Sequence, residues 1–214
     1  MKDLEKRYYS CEVRAESSDK GANITGRPIV YDSVTDLGYF DEVIERGALD
    51  STDLKDVRFL VNHNTDMIPL ARSRRNNGNS TMMLRVIPEG LEMMASVDVE
   101  NNATARELIS AIDRGDISGM SFMFSIDNEE WENLETEHPT RRIKKIGSVV
   151  EVSAVTFPAY EATSINARSK EALESARSAV ETARQQRAES VETDTNYKLQ
   201  LEKAKIQIIG GKRK

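Results

Sequence analysis

The chain has 214 residues, of which 38% are hydrophobic and 31% are charged, and its formal net charge is −6. It contains no apolar run long enough to span a membrane, and its first ten residues lack the apolar stretch of a secretion signal. The only cysteine, Cys11, excludes an intrachain disulfide and a cysteine-built zinc site, so we expect a reducing environment.

The charge is distributed unevenly along the chain. Residues 168–214 contain 11 basic and 7 acidic side chains, whereas residues 1–167 contain 19 basic and 29 acidic ones. An acidic body gives no electrostatic reason to bind nucleic acid, so we expect neither nucleic acid nor a membrane as a partner. The basic ending GGKRK is expected to be a solvated tail.

The first half of the chain is predicted to form strands. Residues 4–14, 25–31 and 56–63 are rich in aromatic and β-branched side chains. The stretch Pro-Glu-Gly at 88–90 separates two runs in which apolar and polar residues alternate. This pattern predicts a β-hairpin with one face on a core.

A helix is predicted next, in NNATARELISAIDRG. Asn102 can cap its first turn and Gly115 can end it, which leads directly into a strand at 117–126. Residues 127–140 are acidic and are predicted to form a loop. Two further strands are expected after that loop, at 141–147 and 149–157.

The last part of the chain has a different composition. Residues 168–192 are helix formers with a thin apolar stripe: Leu173, Ala176, Val180 and Ala183. A stripe built mostly of alanine buries little apolar area, so this helix should either pair with another element or be disordered. Polar residues then precede a segment, YKLQLEKAKIQIIGG, that suits either helix or strand. We predict a boundary near Ala167, with a body at 1–167 and a helical or flexible tail at 168–214.

One predicted strand contains a serine in an otherwise apolar run. In GDISGMSFMF, period-two alternation places Ser121 opposite Phe122 and Phe124 and on the same face as Gly119. Glycine removes bulk beside the hydroxyl, so a substrate or another backbone can approach closely. Ser121 is therefore either a nucleophile on a rigid strand beside a groove or a structural strand residue.

A serine hydroxyl is a weak nucleophile until a base takes its proton, and histidine suits that task near neutral pH. The chain has two histidines. His63 ends the apolar strand VRFLVNH, where alternation places it on the face of Phe59. His138 lies in the acidic loop. We predict His63 as the base; the alternative is a histidine that satisfies a local backbone hydrogen bond.

Glu151 interrupts VVEVSAVTF, a run that otherwise favours burial. A buried carboxylate is costly unless it is paired and hydrogen-bonded, and a histidine ring N–H is a suitable partner. Glu151 would then fix the tautomer of His63 and stabilise the imidazolium formed when Ser121 attacks. The alternative is that Glu151 points to solvent from an edge strand.

At these residues the sequence resembles the prohead protease family of tailed bacteriophages, which is related to the herpesvirus assemblins. The matching motifs occur in order and cover most of residues 25–165. They are GRPIVYDS (26–33), YFDEVIERGAL (39–49), VRFLVNHN (57–64), EGLEMMASV (89–97), ATARELISAIDRGDISGMSFMF (103–124) and VVEVSAVTFPAYEATSI (149–165).

The resemblance implies a serine endopeptidase that acts in the host cytoplasm, inside the assembling prohead. Such enzymes cut scaffold protein or the scaffolding segment of the major capsid protein, and they often cut themselves. The resemblance places the family's histidine on His63, its serine on Ser121 and its acidic third member on Glu151. No cofactor or metal is expected, and the relationship to assemblins suggests a homodimer.

The resemblance also implies an α+β fold: a mostly antiparallel, barrel-like sheet with surrounding helices, forming a protease domain at 1–167. Assemblins carry a second histidine where Glu151 stands here, so a dyad of Ser121 and His63 is an alternative. We expect the oxyanion hole to be formed by backbone N–H groups after Phe157. The tail at 168–214 lies outside the resemblance; it would tether the protease to its partners and be released by self-cleavage near Ala167.

Two other classes of function remain. A non-catalytic capsid-assembly or scaffolding protein on the same fold would need the tail but not the three site residues. A metal hydrolase would use His63 with Asp66, or His138 with Glu135 or Glu137. No H-E-x-x-H or comparable spacing supports this metal site.

Overall fold

Strands dominate the part of the chain that the computed structural model describes, namely residues 4–10, 13–18, 21–75, 77–156 and 170–210. The elements are β1 (Glu5–Ser10), β2 (Val13–Ser18), β3 (Gly21–Val30), β4 (Val34–Asp36), β5 (Asp41–Ile44), β6 (Arg58–Val61), β7 (Ala71–Arg72), β8 (Met82–Ile87), β9 (Gly90–Val97), α1 (Ala103–Asp113), β10 (Gly119–Glu132), β11 (Thr140–Val155) and α2 (Lys170–Gly210).

The strands form two sheets. The larger has the order β1-β10-β11-β5-β4, and β6 joins it by pairing with β11 and β7; the smaller has the order β2-β3-β9-β8. All pairs are antiparallel except those of β11 with β5 and β6. The α+β, mostly antiparallel prediction is confirmed. The barrel-like closure is not confirmed, because neither sheet closes on itself among the described residues. The strands β4 to β7 have only two to four residues each.

The main core lies between the two sheets and α1. Its members come from the inward faces of both sheets, including Ile24 and Met93 of the smaller sheet and Phe122 of the larger one, all fully buried. Burying a side chain of this size contributes about 1.5–3 kcal/mol. The core therefore determines which face of β10 carries its large apolar side chains, and the residues between them in the sequence project from the opposite face.

Several predicted elements are confirmed. The hairpin around 88–90 is formed by β8 and β9, with Ile87 paired to Gly90. The predicted helix is α1, whose Ala105 N–H donates to Asn102 Oδ1 at 3.2 Å. Gly115 follows that helix with φ of +77°, a conformation that glycine adopts without strain.

The predicted loop at 127–140 is wrong for its first half. β10 continues to Glu132, and β11 is one strand from Thr140 to Val155 instead of two. Cross-strand ion pairs explain why such a polar sequence forms strands: Lys144 pairs with Glu130, and Arg142 Nε lies 2.8 Å from Glu132 Oε1. Opposite charges on neighbouring strands stabilise the ladder between them.

The described part of the tail forms one helix, α2, that continues to Gly210 instead of ending near residue 192. Ala176, Val180 and Ala183 of the predicted stripe are buried, the first two against Phe40, with Trp131 beside them. Residues 184–201 of the same helix are exposed. No helix in the described ranges is long and apolar enough to cross a membrane. The predicted boundary at Ala167 lies outside the described residues, so the division into two domains remains a prediction.

Gly90 provides a test of the packing between the strands of the smaller sheet. A Cβ at this position would lie 1.9 Å from the carbonyl oxygen of Ile29, and its φ is +146°. Gly90→Ala should therefore lower the free energy of unfolding by at least about 2 kcal/mol, measured by urea denaturation. Gly78→Ala is the matched control, because nothing lies within 4 Å of a Cβ there. Equal unfolding midpoints for the two variants would contradict this packing.

Candidate active site

Ser121 lies on the face of the larger sheet that is turned away from the main core. Phe122 and Phe124 project into that core, as predicted, so Ser121, the residue before Phe122 in the strand, projects from the other face. Its direct neighbours across the ladder are Tyr8 of β1 and Ser153 of β11. The position of Ser121 is thus fixed by strands on both sides.

Glu151 shares this face with Ser121. Ser153 pairs with Ser121, and Glu151 pairs with Met123, the next residue on the same face of β10. β11 lies between β10 and β6, so Glu151 is on an interior strand instead of an edge. It is 2% exposed, which excludes the alternative that it points to solvent.

His63 reaches the same face because the chain departs from strand geometry. β6 runs parallel to β11, with Phe59 opposite Val152 and Leu60 opposite Ser153. Continued alternation would send His63 to the core face with Phe59, as the sequence predicted. Asn62 and His63 instead have φ of 51° and 56°, in the left-handed region. The predicted shared face with Phe59 is wrong, and this turn is the physical reason.

Hydrogen bonds to β11 hold this left-handed turn. The N–H of Asn62 donates to the carbonyl of Ala154 at 2.9 Å, and the N–H of Thr156 donates to Asn62 Oδ1 at 3.0 Å. The N–H of His63 donates to Ser153 Oγ at 3.2 Å. Each such bond stabilises the fold by about 1 kcal/mol net. Together they offset the free-energy cost of the left-handed backbone conformation, which is about 1–3 kcal/mol per residue.

The three predicted residues form one hydrogen-bonded path. His63 Nε2 lies 2.5 Å from Ser121 Oγ, and His63 Nδ1 is hydrogen-bonded to Glu151 Oε1. An ionised carboxylate only accepts, so Nδ1 carries the proton and, in a neutral ring, Nε2 keeps its lone pair. That lone pair faces the serine hydroxyl. The arrangement can therefore take a proton from Ser121 and stabilise the resulting imidazolium.

The described residues show no open groove beside Ser121. Ser121 is 0% exposed, and its hydroxyl donates to the carbonyl of Arg7 on β1 at 2.5 Å. The one hydroxyl proton thus lies between two acceptors, the Arg7 carbonyl and His63 Nε2. As described, the structure gives a substrate no path to the hydroxyl.

The caudovirus prohead serine protease family matches residues 9–177, which is most of the chain. The chain belongs to this family. As a member it is a phage protease with a role in capsid maturation. The capsid assembly protease gp21 of bacteriophage T4 is a structural neighbour at 13% sequence identity and a TM-score of 0.45, and the alignment covers 73% of this chain and 98% of gp21. No curated protein gives a significant sequence match.

A buried ion cluster anchors β1 of this prohead protease next to Ser121. Arg7 pairs with Glu42 of β5 through two nitrogens, and Arg141 of β11 contacts Glu5 at 2.8 Å and Glu42 at 3.5 Å. Burial raises the pKa of Glu5, but the neighbouring Arg7 and Arg141 guanidinium groups lower it more, so the net pKa lies below its ordinary value of 4.5. The same strand therefore carries both the contact to Ser121 and the charges that hold it in place.

His138 lies far from this path and does not join it. Its Nε2 is 3.1 Å from Asp41 Oδ1, and Asp36 completes an exposed group whose ligand atoms lie within 4.8 Å of one another. Glu135, which the metal-hydrolase alternative placed with His138, pairs instead with Arg187 at 3.2 Å. This ion pair gives no support to a metal site formed by His138 and Glu135.

Sequence reasoning missed Arg7, Ser153 and Asn62. Ser153 follows Glu151 by two residues in a strand, and this spacing alone places both on one face. The sequence could therefore have predicted that Ser153 lies beside Glu151. The Arg7 contact depends on the register of β1 against β10, which leaves no local signature. The oxyanion donors predicted after Phe157 lie outside the described residues.

The low pKa of Glu5 predicts how stability depends on pH. Because the folded-state pKa is below the unfolded one, the ionised carboxylate stabilises the fold above pH 4.5, and this contribution is lost as the pH falls through the folded-state pKa. Glu5→Gln should have a lower free energy of unfolding than wild type at pH 7, and the difference should shrink below pH 4.5.

Urea denaturation of both proteins at a series of pH values from about 7 to 3 measures this difference. The other carboxylates with lowered pKa, Asp56, Asp98 and Glu130, are present in both proteins, so their effects cancel. A difference that stays constant or widens on acidification would contradict the role of Glu5.

Proposed function

We propose that this prohead protease is a serine endopeptidase in which Ser121 is the nucleophile, His63 the general base and Glu151 the group that orients His63. The observation that supports the proposal is a continuous hydrogen-bonded path: the carboxylate of Glu151 bonds to His63 Nδ1, and His63 Nε2 bonds to the hydroxyl of Ser121. The dyad alternative is less favoured, because Glu151 is buried and its Oε1 contacts the ring.

In the proposed reaction, Ser121 Oγ attacks the carbonyl carbon of the scissile peptide and its proton passes to His63 Nε2. The imidazolium is stabilised by Glu151, and it then protonates the leaving nitrogen as the C–N bond breaks. Water then attacks the acyl-serine ester while His63 accepts its proton, and the C–Oγ bond breaks as His63 returns that proton to Ser121 Oγ. The products are two peptides with a new carboxylate and a new amine.

The substrates follow from the family and not from the geometry. We propose scaffold protein, or the scaffolding segment of the major capsid protein, cut inside the assembling prohead in the host cytoplasm. The part of α2 beyond Arg187, residues 188–201, suits a tether to these partners because its residues are exposed. Self-cleavage near Ala167 would release the body from this tether, and a homodimer remains part of the proposal.

The burial of Ser121 adds a condition. A peptide carbonyl can reach Oγ only if a covering segment moves, so we assign the described structure to a resting form of the enzyme. The Arg7 carbonyl occupies a hydrogen-bonding position on the hydroxyl and keeps its proton partly away from His63. Catalysis therefore requires loss of the Arg7 contact.

The same burial favours a second candidate, a non-catalytic capsid-assembly protein on this fold. In that case Ser121, His63 and Glu151 form a buried polar network that serves packing alone. This candidate predicts that all three residues are dispensable for capsid assembly and that α2 is not.

Ser121→Ala should abolish cleavage of co-expressed capsid and scaffold protein, with a loss on the order of 10⁴–10⁶ in kcat, and His63→Ala should do the same. Glu151→Gln should lose less, because Glu151 acts through His63. Ser125→Ala is the matched control, since Ser125 is a buried serine on the same strand that bonds to Ser148. Intact-mass analysis of the co-expressed proteins measures the cut fraction.

Wild-type processing in the Ser121→Ala protein would reject Ser121 as the nucleophile, whereas no processing by the wild-type protein itself would favour the assembly protein. The same spectra test self-cleavage. The wild-type chain should lose a C-terminal fragment that begins near Ala167, and the Ser121→Ala chain should stay full length. A wild-type chain that remains intact while it cuts capsid protein would contradict self-cleavage alone.

A further inference from the structure

Ser153 is a buried serine on β11 that bonds to two members of the catalytic path at once. It is 0% exposed and lies directly opposite Ser121 in the ladder. Its Oγ donates to Glu151 Oε2 at 2.6 Å and accepts the backbone N–H of His63 at 3.2 Å. No expectation drawn from the sequence gave this residue a role.

The single proton of a serine hydroxyl fixes the direction of these bonds. An ionised carboxylate only accepts, so the Ser153 proton must point to Glu151, and the oxygen lone pairs are left for the His63 N–H. Within the described residues, Glu151 receives one bond on each oxygen, from His63 on Oε1 and from Ser153 on Oε2. Without Ser153, the buried carboxylate would keep one of its two donors.

We propose that Ser153 is a positioning residue for the reaction, and this rests on the proposed function of the site. It aims the carboxylate of Glu151 at the imidazole by holding Oε2. It also stabilises the left-handed backbone at His63, which turns the ring away from the core face. One hydroxyl therefore controls both the carboxylate and the backbone of the base.

Ser153 is not a second nucleophile. Its proton is directed to Glu151, whereas the hydroxyl that faces His63 Nε2 belongs to Ser121. The alternative is a serine that only fills space in the sheet. Ser125 provides that comparison, because it is a buried serine whose partner is Ser148 instead of a site residue.

Ser153→Ala should lower kcat about 10–100-fold with KM little changed, because the hydroxyl orients groups and does not touch substrate. Ser153→Thr keeps a hydroxyl and suits a strand, so it should recover most of the lost rate. Ser125→Ala should leave kcat unchanged. Cleavage of purified capsid protein by each full-length variant gives these values.

A second readout does not require activity. The Nδ1–H proton of His63, bonded to Glu151, should give a far-downfield signal in the proton NMR spectrum of the wild-type protein. That signal should move upfield or broaden in Ser153→Ala and remain in place in Ser153→Thr and Ser125→Ala. Wild-type kcat together with an unmoved signal in Ser153→Ala would overturn the proposal.

The two failures can be told apart. The wild-type protein could fail to cleave while the His63 signal responds to Ser153→Ala and not to Ser125→Ala. In that case Ser153 does position Glu151 and His63, but the proposed function is wrong. If Ser121→Ala is inactive while Ser153→Ala cuts at the wild-type rate, the proposed function stands and the role of Ser153 fails. If kcat falls in Ser153→Ala and Ser125→Ala in proportion to their loss of stability, Ser153 is structural and the proposal is overturned.

Discussion

The left-handed turn at Asn62 and His63 is the constraint on which the rest of the site depends. Register and pleat already place Ser121, Ser153 and Glu151 on one face of the larger sheet. His63 comes from a short parallel strand whose alternation leads to the opposite face. Two residues with positive φ reverse that direction, and bonds to Ala154, Thr156 and Ser153 hold them there. A polar path can therefore form on a sheet whose other face is the hydrophobic core.

Burial determines both the electrostatics of this path and its accessibility to substrate. A carboxylate that is 2% exposed is costly unless it is paired, and Glu151 meets that condition through His63 and Ser153. The same low exposure would strengthen the electrostatic support of an imidazolium, because water does not screen it. It also closes the site to substrate, with the Arg7 carbonyl against the hydroxyl and the ion pairs of Arg7 and Arg141 holding β1. The proton path through His63 and the contact with Arg7 that restrains it therefore both end at the hydroxyl of Ser121.

The sequence allowed prediction of what local patterns encode. Alternation in β10, the cap at Asn102 and the hairpin at 88–90 follow from period and residue type, and the structure has all of them. A histidine at a strand end and a carboxylate in an apolar run made His63 and Glu151 candidates, and the resemblance to the prohead proteases then selected them. Their convergence was an expectation that only the strand pairing could test.

The remaining features depend on contacts between distant segments. The acidic stretch after residue 126 forms a strand because Lys144 and Arg142 lie opposite its carboxylates. The hydrogen bond of Ser121 to the Arg7 carbonyl depends on β1, more than a hundred residues away in the chain. The turn at His63 has a weak local signal, since asparagine and histidine adopt positive φ more readily than most residues, but its direction depends on β11.

The most direct test of the central claim is covalent trapping of the nucleophile. A preparation that cuts capsid protein is treated with a fluorophosphonate, and the modified residue is identified by peptide mass spectrometry. The account predicts one adduct on Ser121, formed in the wild-type protein and lost when His63 is replaced by alanine. An active preparation with no adduct on Ser121, or with equal labelling of Ser121 when His63 is absent, would contradict it.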